Sequence, residues 1–347
     1  MQPVASGSDS QSNAELAGKV RFLSSPGSYA HGPERVVAIE THMSWVFLTG
    51  SRVYKIKKPV RYPFLDFTTL TARRANCEAE VRLNRRLAGD VYRGLLALRQ
   101  NAEGTLGFEP DGEVVEWVIE MDQLPEAEML DNRIRAGRVS TDEAVAIAEK
   151  LGRFYAAATP ETRDGAAYLR HLEEESAINR ELLLRPGCEV NTARTQELID
   201  RVDRLLAAAR GPILRRVEAG HIVEGHGDLR PEHVNLTSGI PIIDCLEFDR
   251  NMRLLDPYDE VSYLGLECEM MGAGWMRPMM LGVVEDILGG RPDSHLVATY
   301  GAFRGVLRAR ICMAHLLDPE PMEPERWPDE ARRYLAIAEE ECRKAAG

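Results

Sequence analysis

Two short segments that carry carboxylates constrain this chain more than any other feature. The first is HGDLRPEH (residues 226–233) and the second is IIDCLEF (residues 242–248), which place Asp228 and Asp244 sixteen positions apart. Residues 234–243 between them read as two short strands around a Thr-Ser-Gly turn, which predicts a hairpin. A hairpin folds back on itself, so its ends can bring the two carboxylates to one place. Phosphoryl transfer requires such a pair, because one carboxylate accepts the proton of an incoming hydroxyl and another holds the Mg²⁺ that bridges the phosphates.

The two segments resemble the catalytic loop and the metal-binding segment of the aminoglycoside phosphotransferase family, a branch of the protein-kinase-like superfamily. That family reads roughly His-Gly-Asp-Leu-His-Pro-Gly-Asn and then Ile-Asp-Phe-Gly/Glu. The resemblance is to a branch with the HGDLRPEH and DCLEF signature and no appended P-loop domain. It implies that Asp228 is the catalytic base, that Asp244 is the chief metal ligand, and that ATP and Mg²⁺ are the cofactors. The implied activity transfers the γ-phosphate to a hydroxyl of a small-molecule acceptor.

One position departs from the family's pattern. The family's metal-binding Asn lies five residues after the catalytic Asp, where this chain has His233. Mg²⁺ prefers oxygen ligands. Three interpretations therefore stay open: Asn235 takes over, His233 contacts phosphate, or the site has lost part of its chemistry. We expect Asp244 to hold Mg²⁺ with help from Asn235 or His233.

Two other functions are compatible with the same residues. If the site has lost activity, the chain is a non-catalytic, nucleotide-binding, pseudokinase-like scaffold on the same fold. If the carboxylates activate water instead of an acceptor hydroxyl, the chain is a metal-dependent phosphohydrolase. A phosphohydrolase would release inorganic phosphate without an acceptor, and the lysines described below would be dispensable to it.

Arg230 lies two residues after Asp228, where protein kinases have a Lys that contacts the transferred phosphate. A guanidinium there stabilises charge that develops on the phosphate, which makes Arg230 a second candidate catalytic residue. It could equally pair with Glu232 or Asp249. The sequence favours neither interpretation.

Residues 45–57 predict a β-hairpin with a Gly-Ser turn. Strand alternation places Lys55 and Lys57 on one face of its second strand. The resemblance implies that a lysine on such a strand holds the α- and β-phosphates of the nucleotide. Lys55 is the first candidate and Lys57 the second. The alternative is that both lysines only solubilise an edge strand.

An amphipathic helix is predicted over residues 70–87. The resemblance implies that a Glu on this helix orients the phosphate-binding lysine. Glu78 and Glu80 are the candidates, and Glu80 is preferred because it immediately precedes the apolar Val81, as in the family.

Further strands are predicted after this helix, at residues 95–98, 106–108 and 114–121. The resemblance implies that the end of the last strand is a hinge that binds the purine, with Glu120 and Gln123 at its ends. The chain has no GxGxxG or GxxxxGK[ST] motif, which argues against a P-loop nucleotide site.

From residue 124 onward the sequence is helical in character. Ser140 and Glu143 form a capping box, and Asp256-Pro257 is a strong helix start. By the resemblance, an acid shortly after that start braces the catalytic loop; Asp259 lies one residue early for this role and is expected to be structural. Helices are predicted at residues 195–208, from 213 to 218 after a break at Pro212, at 296–317 and at 329–345.

The predicted fold is a two-lobe, protein-kinase-like α+β fold. Its small N-lobe is an antiparallel sheet with one helix, and its larger C-lobe is mostly helical. Residues 1–15 are predicted to be a disordered tail. Residues 16–122 are predicted to form the N-lobe, which binds the phosphates of the nucleotide. Residues 123–347 are predicted to form the C-lobe, with the catalytic loop, metal segment and substrate site.

Charge and composition exclude several partners. Residues 1–122 hold 15 Lys and Arg against 15 Asp and Glu, so the formal charge of −12 falls on residues 123–347. This acidity argues against a nucleic-acid partner. It is compatible with an amine-bearing acceptor, and equally with an acidic surface that only keeps the chain in solution. No apolar run approaches the length of a membrane span. The six scattered cysteines and the absence of a signal-peptide pattern predict a cytoplasmic protein.

Overall fold

The computed structural model describes residues 9–62, 65–161, 164–317, 321 and 323–346, with side chains from residue 14 onward. The chain forms two compact units. The sheet unit comprises Met1–Glu128 and Val234–Asp249, and the helical unit comprises Met129–His233 and Arg250–Gly347.

The two units group the residues differently from the predicted domains, because the segment 234–249 belongs with the sheet unit. Its backbone is held there: the Leu236 N–H donates to the Glu128 carbonyl at 2.8 Å, and the Ile242 N–H donates to the Leu87 carbonyl at 3.4 Å.

The sheet unit contains one six-stranded antiparallel sheet in the order β1-β2-β3-β8-β6-β7. Its strands are β1 (Val37–Glu40), β2 (Ser44–Leu48), β3 (Arg52–Lys57), β6 (Tyr92–Gln100), β7 (Leu106–Gly107) and β8 (Glu113–Asp122), while β4 (Arg61–Tyr62) and β5 (Leu65–Asp66) form a separate two-residue ladder. The predicted hairpin is confirmed as β2 and β3. Strand β1 was not predicted; its side chains are all exposed, so it shows no burial alternation.

Two helices belong to this unit, α1 (Asp9–Leu23) and α2 (Leu70–Ala88). Residues 1–8 of the predicted disordered tail lie outside the described residues. Residues 9–15 belong to α1, so the tail prediction is wrong there; Ala14 and Glu15 are good helix formers that extend the helix toward its start. Helix α2 matches its prediction, and Thr69 caps it by accepting a hydrogen bond from the Ala72 N–H at 3.1 Å.

Alternation along β3 determines what lies on each face of the sheet. Tyr54 and Ile56 are buried in one apolar cluster with Leu23 of α1. Val53 is buried in a second cluster with Cys77 of α2. Because side chains two residues apart share a face, the lysines that follow Val53 on β3 point toward α2.

The helical unit is built from eight described helices and one two-residue ladder. They are α3 (Leu130–Arg135), α4 (Thr141–Ala156), α5 (Gly165–Leu183), α6 (Ala193–Glu218), α7 (Pro257–Met270), α8 (Met276–Leu288), α9 (Ser294–Ala314) and α10 (Arg326–Lys344), with β9 (Val223–Glu224) paired to β10 (Leu254–Leu255). The capping box of Ser140 and Glu143 and the Asp256 cap before Pro257 are both present as predicted. The predicted combination of an antiparallel sheet with many helices is confirmed.

The prediction that Pro212 interrupts the helix is wrong, because α6 continues through it from Ala193 to Glu218. Proline removes one backbone hydrogen bond from a helix interior. Here Ala209, Ile213 and Val217 continue the same buried face across the proline. Most helical stability in proteins comes from such packing, which outweighs the lost bond. Among the helices that the structure describes, none is long and apolar enough to cross a membrane.

Candidate functional site

Lys55 contacts two other residues that the sequence singled out, Glu80 and Asp244. Its Nζ lies 2.8 Å from Glu80 Oε1 and 3.2 Å from Asp244 Oδ1. The Glu80 side chain is fully buried, whereas that of Asp244 is half exposed. A buried carboxylate requires a cation and hydrogen bonds to offset its lost hydration. Lys55 therefore joins an interior acid on α2 to a solvent-facing acid in the segment 242–248.

Lys57 occupies a more enclosed position on the same face. It pairs with the second carboxylate oxygen of Glu80, and its Nζ lies 2.6 Å from Glu247 Oε1. Its side chain is only 2% exposed, against 14% for Lys55. Lys55 is thus the lysine placed at Asp244, while Lys57 is held between two carboxylates.

The opposite charges around Glu80 stabilise one another. Burial alone would lower the pKa of Lys55, but the carboxylates of Asp244 and Glu80 raise that pKa well above its usual value. Burial would likewise raise the pKa of Glu80, yet Lys55 and Lys57 hold it below its usual value. Both lysines and Glu80 are therefore ionised at neutral pH.

Asp244 sits on a strained backbone that side chains of α2 and β6 hold in place. Its φ of 61° is in the left-handed region, which Asp tolerates better than most residues. The Asp244 N–H donates to the Tyr92 hydroxyl at 3.3 Å, and the next N–H, of Cys245, donates to Asn84 Oδ1 at 2.8 Å. Strained residues cluster at functional sites. No local sequence pattern indicates Asn84 or Tyr92, because both residues lie far from Asp244 along the chain.

The predicted hairpin before Asp244 is present as a turn with a single bridge between Val234 and Ile242. Asn235 stabilises this turn: its Oδ1 accepts hydrogen bonds from the Thr237 N–H at 3.1 Å and the Thr237 hydroxyl at 2.6 Å, and its Nδ2 donates to the Pro125 carbonyl at 3.0 Å. The Asn235 side chain is fully buried. Asn235 Oδ1 thus accepts two hydrogen bonds within the turn, and its role as a metal ligand stays a prediction.

The two residues predicted at the hinge connect the end of β8 to the β2–β3 hairpin. Gln123 Oε1 accepts from the Gly50 N–H at 2.9 Å, and Glu120 Oε1 accepts from the Tyr54 hydroxyl at 3.2 Å. These side chains fix the strand end, and their part in purine binding stays a prediction.

In the helical unit, Glu260 braces the loop that carries Asp228. Its buried carboxylate accepts hydrogen bonds from the His226 N–H at 3.0 Å, the Gly227 N–H at 2.6 Å and the Tyr155 hydroxyl at 2.6 Å. Gly225 is needed beside it, because a Cβ there would lie 2.5 Å from Glu260 Oε2. Burial raises the pKa of Glu260 in spite of these donors.

Glu260, one residue after Asp259, is the brace that the sequence analysis missed. Asp259 instead pairs with both nitrogens of the Arg304 fork, at 3.0 and 2.6 Å, which agrees with its expected structural role. The spacing of Glu260 from Asp256 could have identified it, since Glu260 occupies the position at which the family pattern has its second acid.

Asp228 is surrounded by basic side chains of its own loop. Arg230 Nε lies 3.2 Å from Asp228 Oδ1, and Arg230 Nη1 lies 2.8 Å from Glu232 Oε1. Burial would raise the pKa of Asp228, but the charges of Arg230 and others nearby lower it below its usual value. Asp228 is therefore ionised at neutral pH, as a base must be. Glu232 is one of the two acids that the sequence left open as a partner of Arg230, and the two side chains do pair.

His233 also contacts the loop, since its Nδ1 lies 2.8 Å from the Asp228 carbonyl and its ring is almost fully buried. Among the residues that the structure describes, no cluster of three or more His, Cys, Asp or Glu side chains forms a metal cage. Mg²⁺ is commonly bound through one or two carboxylates plus substrate phosphates. The half-exposed carboxylate of Asp244 fits that mode of binding.

Comparisons with known proteins give sequence relatives and, separately, solved structures of similar fold. No protein-family model matches this chain. Uncharacterized proteins of Mycobacterium tuberculosis and Mycobacterium bovis are 30% identical to it over 312 residues, which is 88% of this chain and 59% of each relative. The chain thus spans less than two thirds of the length of these curated relatives.

Three solved structures share the fold over nearly the whole chain. A choline/ethanolamine kinase family protein from Mesorhizobium loti has a TM-score of 0.54 at 16% identity, covering 96% of this chain and 98% of its own. Choline kinase from Cryptosporidium parvum has a TM-score of 0.55 at 12% identity, covering 96% of both chains. A thermostable aminoglycoside phosphotransferase variant, in a ternary complex with AMP-PNP and hygromycin B, has a TM-score of 0.52 at 12% identity, covering 95% of this chain and 99% of its own. The chain therefore shares the fold of these three proteins.

Proposed function

We propose that this chain is an ATP- and Mg²⁺-dependent phosphotransferase that moves the γ-phosphate of ATP to a hydroxyl of a small molecule. The observation that carries the proposal is the bridge that Lys55 makes between Glu80 and Asp244. Support comes from the fold, which is that of choline kinases and of an aminoglycoside phosphotransferase crystallised with AMP-PNP and hygromycin B.

In the sheet unit, Lys55 binds the phosphates of the nucleotide, and Glu80 keeps the amine of Lys55 in place. Lys57 pairs with Glu80 Oε2 and Lys55 with Glu80 Oε1, so the two lysines share the negative charge of that carboxylate. Asp244 would hold Mg²⁺, which would neutralise charge on the phosphate oxygens. Tyr92 and Asn84 fix the backbone on both sides of the Asp244 Cα.

In the helical unit, Asp228 accepts the proton of the acceptor hydroxyl. Its low pKa keeps it ionised, and the Glu260 brace holds the preceding backbone. Most of the catalytic effect comes from positioning and charge neutralisation, because phosphoryl transfer requires little covalent chemistry from the protein. The products are ADP and a phosphorylated acceptor. The acidity of residues 123–347 favours an acceptor that bears an amine.

The two lysines of β3 provide the test of this proposal. Lys55→Met is expected to lower the rate of ADP formation about 10²-fold, by analogy with removal of one charge-stabilising donor. The variant should stay folded, because Lys57 still pairs with Glu80. ADP release measured with a panel of amine-bearing alcohols, together with thermal unfolding, checks both expectations.

Lys57→Met is the matched control, since it changes the same residue type two positions along the strand. It leaves Glu247 and one oxygen of Glu80 without their lysine, so its main effect should be a lower Tm. Full activity in a folded Lys55→Met variant, with inorganic phosphate released in the absence of any acceptor, would instead favour a phosphohydrolase.

A further inference from the structure

Helix α2 carries two charged side chains on the face that it buries against the sheet. Arg73 and Glu80 are separated by about two helical turns, so both lie on one side of the helix. Both residues are buried. Because Arg and Glu are almost never fully buried unless they are paired, each needs a partner of opposite charge. Glu80 pairs with the lysines of β3, as described above, and Arg73 pairs with a carboxylate of β8.

Arg73 binds Glu116 of β8 through two nitrogens of its guanidinium group. Its Nε donates to Glu116 Oε1 at 2.8 Å, and its Nη2 donates to Glu116 Oε2 at 2.9 Å. Such a bidentate pair fixes the orientation of both side chains. The remaining nitrogen, Nη1, donates to the carbonyl oxygens of Phe67 and Thr68, at 2.9 and 3.2 Å. Arg73 therefore holds the start of α2 against β8 and against the chain that leads into the helix.

The Glu116 carboxylate also pairs with a lysine of α1. Lys19 Nζ lies 3.0 Å from Glu116 Oε2 and donates to the Val115 carbonyl at 2.8 Å. The Glu116 side chain is only 1% exposed, and two cations, one from α1 and one from α2, offset its lost hydration. Removing Lys19 leaves both hydrogen bonds between Arg73 and Glu116 in place. Removing Arg73 takes away the charged contact between α2 and β8.

The two charged contacts of α2 are made with neighbouring strands. Strand β3 pairs with β8, and Lys55 lies opposite Ile119 in that pairing. Arg73 and Glu80 are about 10 Å apart along the helix axis. Apolar packing is non-directional, whereas two directional contacts at this separation fix both the rotation of α2 and its position along its axis. Glu80 Oε1 lies 2.8 Å from Lys55 Nζ, so a displacement of α2 by about 1 Å would take that contact beyond hydrogen-bond range.

We propose that Arg73, paired with Glu116, is a positioning residue for the nucleotide site, because it holds α2 in the register at which Glu80 meets Lys55. The inference rests on the proposed function, in which Lys55 binds the phosphates of the nucleotide. Arg73 acts through Glu80 on the amine of Lys55 and does not contact the nucleotide itself. Lys19 stabilises the Glu116 carboxylate from α1 and has no part in the register of α2.

Nucleotide affinity in two backgrounds tests this inference. The dissociation constant for AMP-PNP with Mg²⁺ is measured by isothermal titration calorimetry on the full chain, at a temperature at which circular dichroism shows each variant to be folded. Arg73→Met is expected to weaken binding about tenfold, within the range of couplings between side chains of one network. In the Lys55→Met background the same change should alter the dissociation constant by less than about twofold, because the amine that Arg73 positions is absent. A tenfold loss in both backgrounds would overturn the inference.

Lys19→Met is the matched control, since it removes the other cation of the same buried carboxylate. It should lower the Tm and leave the dissociation constant within about twofold of wild type, because Arg73 still holds α2. Arg73→Lys keeps a positive charge without the bidentate geometry, and it carries the same two-background comparison if Arg73→Met does not fold.

Three results separate the inference from the proposed function. Wild-type affinity in a folded Arg73→Met variant, or a tenfold loss of affinity in Lys19→Met, would overturn the positioning role and leave the proposed function standing. A wild type that binds no nucleotide would overturn both.

Discussion

Asp228→Asn is expected to lower kcat about 10³-fold, which is the usual contribution of a general base. Asn has the size of Asp but cannot accept the proton of the acceptor hydroxyl. The pKa of Asp228 is held below its usual value by Arg230 in spite of burial, so wild type has its base fully ionised at neutral pH. The measurement is steady-state ADP formation with a productive acceptor, together with the dissociation constant for ATP.

The affinity for ATP distinguishes a base from a nucleotide ligand. The affinity of Asp228→Asn for ATP should be within a few-fold of that of wild type, because the residues predicted to bind the phosphates and the metal lie in the sheet unit. Asp286→Asn makes the same chemical change at an exposed position of α8 and serves as the control. A large loss of ATP binding in Asp228→Asn would contradict the assignment of Asp228 as base.

Glu341→Gln is expected to lower the free energy of unfolding by about 3 kcal/mol, the cost of leaving a buried charge without its partner. Glu341 of α10 forms two hydrogen bonds of 2.7 Å with Arg277 of α8, and both side chains are less than 10% exposed. A neutral amide leaves the Arg277 guanidinium buried without a countercharge. Urea unfolding of wild type and variant at pH 7 measures the difference.

The same pair predicts a pH dependence of known sign. Burial would raise the pKa of Glu341, but Arg277 holds it below its usual value. A lowered folded pKa gives stability that is fully present above the unfolded value of about 4.3 and is lost as the pH falls through the folded value. The difference between wild type and Glu341→Gln should therefore be constant from neutral pH down to about 5 and shrink below that. Glu340→Gln, on the neighbouring residue whose side chain is 39% exposed, should change stability by less than about 0.5 kcal/mol at any of these pH values.

Local patterns were enough to predict the elements that carry the candidate site. Alternation placed Lys55 and Lys57 on one face of β3, and an apolar stripe placed α2 over residues 70–87, close to its observed bounds. These signals are short-range, because strand and helix periodicities are set by residues a few positions apart. The pairing of Lys55 with Glu80 follows once β3 turns that face toward α2.

The rest of the site depends on contacts between residues distant in sequence. Asn84 and Tyr92 hold the Asp244 backbone from α2 and β6, and the sequence contains no local pattern for that contact. The continuity of α6 through Pro212 depends on its buried face, which outweighs a local helix-breaking signal. Asn235 is a candidate metal ligand by residue type, and no local pattern indicates that its amide also forms hydrogen bonds to Thr237 and Pro125.

Thermal unfolding with and without ATP and Mg²⁺, on wild type and on Asp244→Asn, tests the central claim most directly. Asn is chosen because residue 244 has a left-handed backbone that Asn tolerates. Nucleotide at about 100 times its dissociation constant should stabilise the wild type by about 2.7 kcal/mol and raise its Tm. We predict that this shift requires the divalent cation and is lost in Asp244→Asn. A wild type that shows no shift with any nucleotide, or an Asp244→Asn variant that shows the full metal-dependent shift, would contradict a nucleotide site built on Lys55, Glu80 and Asp244.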